Sequence, residues 1–294
     1  MMWGFKLEFK QNLRTKKFWL IIVIMAVLYI PSFYFMKSFF LQSGEHITNE
    51  AAMSMLINSI TGMTSFFVAI LALLIGATAI NSEIEKGTLR IAMSKPIKRL
   101  HYIGGKFLAH CLVLLIALLF STIVSLLGIL YLGGSFTTQL VVDVFLLNML
   151  LLLAMIQLVA LGYIISTVIK SSNTALGLAI ILMFVIFMIV PSIVNFLAIK
   201  NTANSPNANI EEMQKLQKEY TTKYLFYDPI SQVKVITEDV STTLSKNPRD
   251  ILNVRYNGVA YAIRNNLTNF AHIIWLTILY LSIGFYRFVK MDLR

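Results

Sequence analysis

Charge is scarce in this chain. Only 13% of its 294 residues are Asp, Glu, Lys or Arg, against roughly a quarter in a soluble domain, so an ordinary water-facing surface is not available to it. Cysteine is nearly absent. Cys111 is the single one and sits inside an apolar run; no disulfide can close within the chain, and the residue reads as a small packed hydrophobe. The four histidines do not gather with it at metal-ligand spacing. There is no His-Glu-x-x-His stretch, which excludes a zincin-type protease, and no Gly-x-x-x-x-Gly-Lys-Ser/Thr loop to cradle a nucleotide phosphate. No cofactor is therefore expected in this chain, and any work it does draws its energy from another.

A further absence lies inside the apolar runs. Asp143, His110 and His272 stand near the edges of such runs and no ionisable group is central. Ion-coupled transporters and pumps place carboxylates or histidines in the membrane interior, so that class is disfavoured. No internal repeat supports an inverted-repeat transporter either.

What the chain has in excess is continuous apolar length: 57% of residues are hydrophobic, and a membrane-spanning helix needs roughly 20 in a row. Six stretches qualify: Phe18–Met36, Ile60–Ile80, Phe107–Leu132, Val144–Ile169, Ala175–Leu197 and Ala271–Val289. The segment from Cys111 to Leu132 carries no charge at all, whereas a soluble helix of that length shows a polar face. The expected fold is an all-α integral membrane protein with six transmembrane helices. Spans one to five occupy 18–197, and the sixth occupies 271–294 with a short tail.

The net charge is +11, but the basic residues flank the spans, which points to anionic membrane lipids and away from nucleic acid. Lys86, Arg90, Lys95, Lys98, Arg99 and Lys106 lie between spans two and three, Lys170 follows span four, and Arg287, Lys290 and Arg294 close the chain. The short loops of the opposite side hold only Lys37. Basic short loops stay cytoplasmic, and long loops are discounted. Both termini are thus expected in the cytoplasm and 198–270 outside a plasma membrane, in a prokaryotic setting. A cleavable leader is not expected, since the first run follows a long basic segment without a small-x-small site.

Residues 1–17 form an amphipathic pattern. Met2, Phe5, Phe9 and Leu13 share one helical face, with Lys6, Lys10, Arg14 and Lys17 beside it. Such a helix lies in the interface plane as an anchor, through Phe5, Phe9, Lys6, Lys10 and Arg14. The segment 198–270 is the sole sizeable part expected outside the membrane, and mostly helical. Asn209 with Glu212 resembles a capping box, Ile210, Met213, Leu216, Tyr220 and Tyr224 follow at helical spacing, and Tyr227-Asp228-Pro229 ends that element. Ser and Thr within the spans suit helix–helix hydrogen bonds; Asn148, Gln157 and Asn195 are the candidates for lining a translocation path.

The stretch from Asn81 to Arg99 reads Asn-Ser-Glu-Ile-Glu-Lys-Gly-Thr-Leu-Arg-Ile-Ala-Met-Ser-Lys-Pro-Ile-Lys-Arg. Glu83 and Glu85 leave the membrane, Gly87 permits a sharp turn, Thr88 is placed to cap a helix over Leu89–Ser94, and Pro96 ends it. Leu89, Ala92 and Met93, with Arg90 beside them, are expected as a small apolar face offered to the cytosol. From the residues alone this is a docking element or an ordinary basic turn. A membrane sensor or assembly protein that docks a signalling partner here, with 198–270 as its sensing part, fits the same residues.

The run Glu-x-Glu-x-Gly-Thr-Leu at 83–89, with Ser-Lys-Pro-Ile at 94–97 and Gly-Lys-Phe at 105–107, resembles the ABC-2 type permeases, membrane subunits of ATP-binding-cassette exporters. The resemblance implies that 83–96 is a coupling helix seated in a groove of the ATPase, with Glu83, Glu85, Gly87, Thr88, Leu89, Arg90, Met93 and Pro96 as the coupling residues. It also implies that 1–17 is the connecting helix. Two permease chains, identical or paralogous, would pair with two cytoplasmic ABC ATPase chains that carry ATP and Mg. The permease itself would not be an enzyme, and a lipid, hydrophobic drug or amphipathic peptide would pass out between or along the two.

Overall fold

The computed structural model describes residues 5, 8–10, 16–43, 48–94, 97–133, 135, 137–203, 210–243 and 254–291. Lys6, Arg14 and Pro96, named above as anchor and coupling residues, lie outside the described residues. Among those described, five helices are long and apolar enough to cross a membrane: Glu50–Ala77, Arg99–Tyr131, Thr138–Val168, Ser172–Asn201 and Leu267–Lys290. The chain is a mostly helical, multi-pass membrane protein. A further helix, α1 (Lys16–Ser43), holds a shorter apolar stretch, Ile22–Ser38.

The second rod joins α2 (Asn49–Ser59), a π turn (Ile60–Thr64) and α3 (Ser65–Ala77). It starts about three turns before the expected span at Ile60, because Thr48 caps it by accepting the amide N–H of Ala51. Two short helices follow, α4 (Asn81–Glu85) and α5 (Thr88–Met93). Then α6 (Arg99–Tyr131) begins eight residues ahead of Phe107, so its first two turns are polar. Gly133 closes it at φ 95°. Helix α7 (Thr138–Val168) is capped by Thr137 and runs back. Next come α8 (Ser172–Phe184), a π turn (Val185–Ile189) and α9 (Val190–Ala203). The end of the bundle that carries 81–99 is called basal below, and the other apical.

Helix α7 and the second rod form the centre. Where they cross, Gly76 and Gly162 face each other. A Cβ on Gly76 would stand 2.3 Å from the Val159 carbonyl oxygen, and one on Gly162 would stand 2.6 Å from the Ala77 nitrogen. No side chain fits there, so the two backbones make direct contact, as small residues allow in membranes. The periphery differs. The α8–α9 rod has only 17% of its most apolar window inside the chain, against 64% for the second rod, and Ile181, Phe184, Met188, Phe196 and Ile199 point outward.

Between the fifth and last long helices the chain forms α10 (Ile210–Tyr224), α11 (Pro229–Glu238), an antiparallel pair β1 (Ser241–Thr243) and β2 (Val254–Tyr256), α12 (Val259–Asn265) and α13 (Leu267–Lys290). The spacing predicts α10, but the strand pair is not legible in it. A further difference concerns packing depth. Helices α10 and α11 fold back into the bundle as a hairpin. At its tip, Gln157 Nε2 donates to the Tyr227 carbonyl at 3.1 Å. Gln157 lies nineteen residues past Thr138, about 28 Å along α7 at 1.5 Å per residue. Asp228 caps α11 there and is 1% exposed. An acidic group expected outside therefore stands deep in the bundle, held by the Ile230 N–H at 3.0 Å and the Ser231 hydroxyl.

Candidate functional site

The basal turn between the second and third long helices is built from its hydrogen bonds upward. The rod ends at Ala77, and the amide N–H groups of Ile80 and Asn81 both donate to Ser166 Oγ on α7, at 2.7 and 3.2 Å. This ties the start of α4 to the end of α7. Gly87 then reverses the chain at φ 68°, a left-handed conformation that costs glycine little. Gly87 is also the cap of α5; Thr88 is its first residue, not its cap, and its hydroxyl donates to the Glu83 carbonyl at 3.4 Å.

The two carboxylates expected to face a partner are both engaged within the chain. Glu83 accepts from Lys106 Nζ at 2.8 Å and from the Tyr102 hydroxyl at 2.9 and 3.0 Å. Glu85, though exposed, accepts the Ser172 amide N–H at 2.7 Å, at the start of α8. Lys106 also reaches Glu8 at 3.2 Å, and Glu8 meets His110 Nε2 at 3.1 Å. The other His110 nitrogen, Nδ1, meets the Tyr163 hydroxyl of α7 at 3.0 Å. Arg99 spans to α13, donating to the carbonyls of Val289 and Met291 at 2.9 and 2.7 Å. One short segment is thereby wired to the amino-terminal residues and to α6, α7, α8 and α13.

Burial gives this network its strength. The Lys106 side chain is 3% exposed, and a charge so placed survives only with partners. Burial pushes the Glu8 carboxyl up. The hydrogen bond with His110 and the nearby Lys106 charge outweigh that and bring it from 4.5 down to about 2. Tyr102, Lys106 and His110 stand four residues apart on one helical face, a stripe visible in the sequence that sequence reasoning passed over together with Glu8, Arg99 and Tyr163. Phe5 and Phe9 stack at 5.7 Å, one turn apart, and Lys10 is exposed beside them. Only Phe5 and residues 8–10 are described as helical in the first fifteen, so the interfacial helix is seen in part.

The outward face of α5 is not the one expected. Leu89 is 1% exposed, and Ala92 and Met93 pack against the core. The apolar residue presented outward is Ile91, 67% exposed, with Lys86, Thr88, Arg90 and Ser94 exposed around it. The difference follows from where α5 docks. Its Leu89 side closes over the basal core, so the opposite side is left to solvent.

The proposed path residues do not come together. Asn148 is fully buried, with Nδ2 donating to the Val144 carbonyl of its own helix at 2.9 Å. Gln157 holds the hairpin tip, and Asn195 accepts from Gln217 of α10 at 3.0 Å. Ser121 bonds the Tyr29 hydroxyl of α1 at 2.9 Å, a helix–helix contact of the kind expected for hydroxyls in the spans. No cluster of His, Cys, Asp and Glu suited to a metal ion occurs among the described residues.

Against known families, the chain matches the model for ABC-2 family transporter proteins over residues 2–293. No curated protein matches it.

Proposed function

The chain belongs to the ABC-2 family of transporter proteins, the membrane subunits of ABC transporters, and from that premise we propose that it is the permease of an ATP-driven exporter. It moves a hydrophobic or amphipathic substrate outward with energy from separate ATPase chains that bind ATP and Mg. In this proposal α1 is a sixth span, both termini and the basal turn are cytoplasmic, and 198–270 opens toward the outside of a plasma membrane. A second permease chain or lipid covers the apolar face of α8–α9.

The observation that carries the proposal is the wiring of the basal turn. An ATPase that moves α5 pulls on Glu83, Glu85 and Arg99, and through them on α6, α8 and α13 at once. Ile91, ringed by Lys86 and Arg90, is the group that enters the ATPase groove. The acidic pair 83/85 acts inside the permease as its tether. Coupling of this kind requires contacts that differ between two states of the bundle. A lysine shared by two carboxylates supplies such contacts, because its partners can be exchanged without leaving it unpaired.

Purification of the intact protein from its native membrane, followed by identification of bound chains, tests this. A stoichiometric ATPase with a phosphate-binding loop is expected to accompany it. Ile91→Asp is expected to lower that yield at least about tenfold, the loss typical of removing a central apolar anchor, while membrane insertion is unchanged. Full recovery of the ATPase with Ile91→Asp removes the docking role of α5. Recovery of the chain with a signalling protein instead overturns the exporter assignment.

A further inference from the structure

A groove of about 590 Å³ runs between α10 and α13. Lys215, Lys218, Glu219 and Lys223 of α10 and Phe226 of the turn after it line one wall, and His272 of α13 lines the other. The α10 residues recur every three to four positions and so form one stripe. Lys218 is committed to Asp239 at 2.7 Å. No salt bridge among the described residues takes Lys215 or Lys223, and Lys223 lies 5.4 Å from the Tyr224 ring. Glu219 is the one carboxylate in the wall. The Phe226 ring stands 6.0 Å from that of His272, edge to face. The His272 Nδ1 is buried with no hydrogen-bond partner, an arrangement that costs free energy until something pairs with it.

Below the groove the chemistry changes sharply. Trp275, Leu279 and Ile283 follow His272 on the same face of α13 and are 46%, 39% and 39% exposed. They make an apolar strip about 16 Å long from His272 to Ile283, at 1.5 Å per residue, inside a membrane-spanning helix. Two lysines and a histidine thus sit directly above an exposed apolar strip of a membrane-spanning helix. A soluble anion has no use for the strip, and a neutral lipid has no use for the lysines.

We propose that this groove binds the anionic headgroup of an amphiphile, with Lys215, Lys223 and His272 around the head and its chain laid along Trp275, Leu279 and Ile283. The site stands on the α10–α13 geometry and is independent of how transport is powered. The hairpin that carries α10 also carries the Tyr227–Asp228 tip into the bundle, so a bound head is mechanically joined to the interior.

Trp275 reports on the site directly. The full chain, with Trp3→Phe and Trp19→Phe so that Trp275 is the remaining indole, is placed in phosphatidylcholine nanodiscs. Phosphatidylglycerol or phosphatidylcholine with brominated acyl chains is then added. Brominated phosphatidylglycerol is expected to quench Trp275 at roughly tenfold lower mole fraction, the preference two lysines near a surface readily supply. Lys215→Ala with Lys223→Ala abolishes the preference, and Lys215→Arg with Lys223→Arg retains it. Equal quenching by the two lipids, or a preference that survives the alanine pair, overturns the proposal. So does quenching by neither lipid, which means the face is covered, for instance by a second copy. Relief of quenching by millimolar inorganic phosphate assigns the groove to a soluble anion and overturns the amphiphile.

Discussion

Both ends of the bundle bury carboxylates, and they satisfy them in opposite ways. At the basal end Glu8 and Glu83 share Lys106, so charges answer charges, and the three residues come from three separate segments. At the apical end Asp143 of α7, 4% exposed, is held by neutral donors: the Tyr256 hydroxyl at 2.9 Å and the Val259 amide N–H at 3.1 Å. A backbone amide is fixed by its helix and offers one geometry. An ammonium on a flexible stem offers several. The apical arrangement therefore clamps the β pair and α12 onto α7, whereas the basal one holds the turn firmly and still lets it change partners. On the proposed reading, the end that answers to the ATPase is the one with the exchangeable bond.

The sharpest way to break this contrast is Lys106→Met. Two carboxylates then remain buried without their shared cation, and breaking a buried ion pair from one side typically costs about 3–5 kcal/mol. Thermal melting of the detergent-purified chain is expected to fall far, with poor recovery of folded protein. Adding Glu8→Gln and Glu83→Gln to Lys106→Met removes the stranded charges, and most of the melting temperature is expected to return. Transport-coupled ATPase stimulation, however, does not return if the ion pairs are what transmits motion. A triple variant that melts as low as Lys106→Met would mean that packing of the lysine stem, not charge, holds the basal end.

The apical counterpart is Asp143→Ala. It strands one hydroxyl and one amide without a charge imbalance, and the expected loss is about 1–3 kcal/mol, smaller than at the basal end. Proteolytic nicking near the β pair should increase, because the clamp on β2 and α12 is gone. Asp143→Asn keeps an acceptor for one donor and is expected to fall between. An apical loss equal to the basal one would erase the distinction between neutral and charged tethers.

How much of this was legible beforehand differs element by element. The long helices announce themselves, since apolar length in a membrane leaves the backbone no alternative to helix. Their polar extensions, Asn49–Ser59 and Arg99–Lys106, do not, because hydropathy reads the bilayer and not the helix. The turn at Gly87 follows from local sequence, and so does α10. Which side of α5 faces out does not: Leu89 and Ile91 are equally apolar, and the choice is made by the core that α5 closes. The depth of Asp228 was hidden for a similar reason. A short polar segment reads as exterior unless a partner such as Gln157 draws its tip inward, and that contact joins residues 70 positions apart. The Tyr102, Lys106 and His110 stripe was readable by spacing, but its meaning needed Glu8 to be brought against it.

The smallest expected effect comes from acid, and it tests whether the basal charges are as tightly paired as their geometry says. Glu8 titrates at about 2 in the folded chain against an ordinary 4.5. A depressed folded-state pKa means the unfolded chain takes up the proton first, so the stability Glu8 contributes is fully present above pH 4.5. It declines below that and is lost as the pH falls through about 2. Asp239 at the apical end is raised by burial but held net below its ordinary range by Lys218, Asn265 and Asn266, so it slopes in the same direction. The wild-type melting temperature is therefore expected to fall between about pH 5 and pH 2. Glu8→Gln should flatten part of that slope and Asp239→Asn a further part. Because Glu8 is more deeply buried than Asp239, the Glu8→Gln share should be the greater and should change little with added salt, whereas the Asp239→Asn share shrinks as salt screens the partly exposed Lys218. A Glu8→Gln profile that keeps the full wild-type slope would show that the basal carboxylate is not paired in the folded protein, and the exchangeable tether would have to be sought at Glu83 alone.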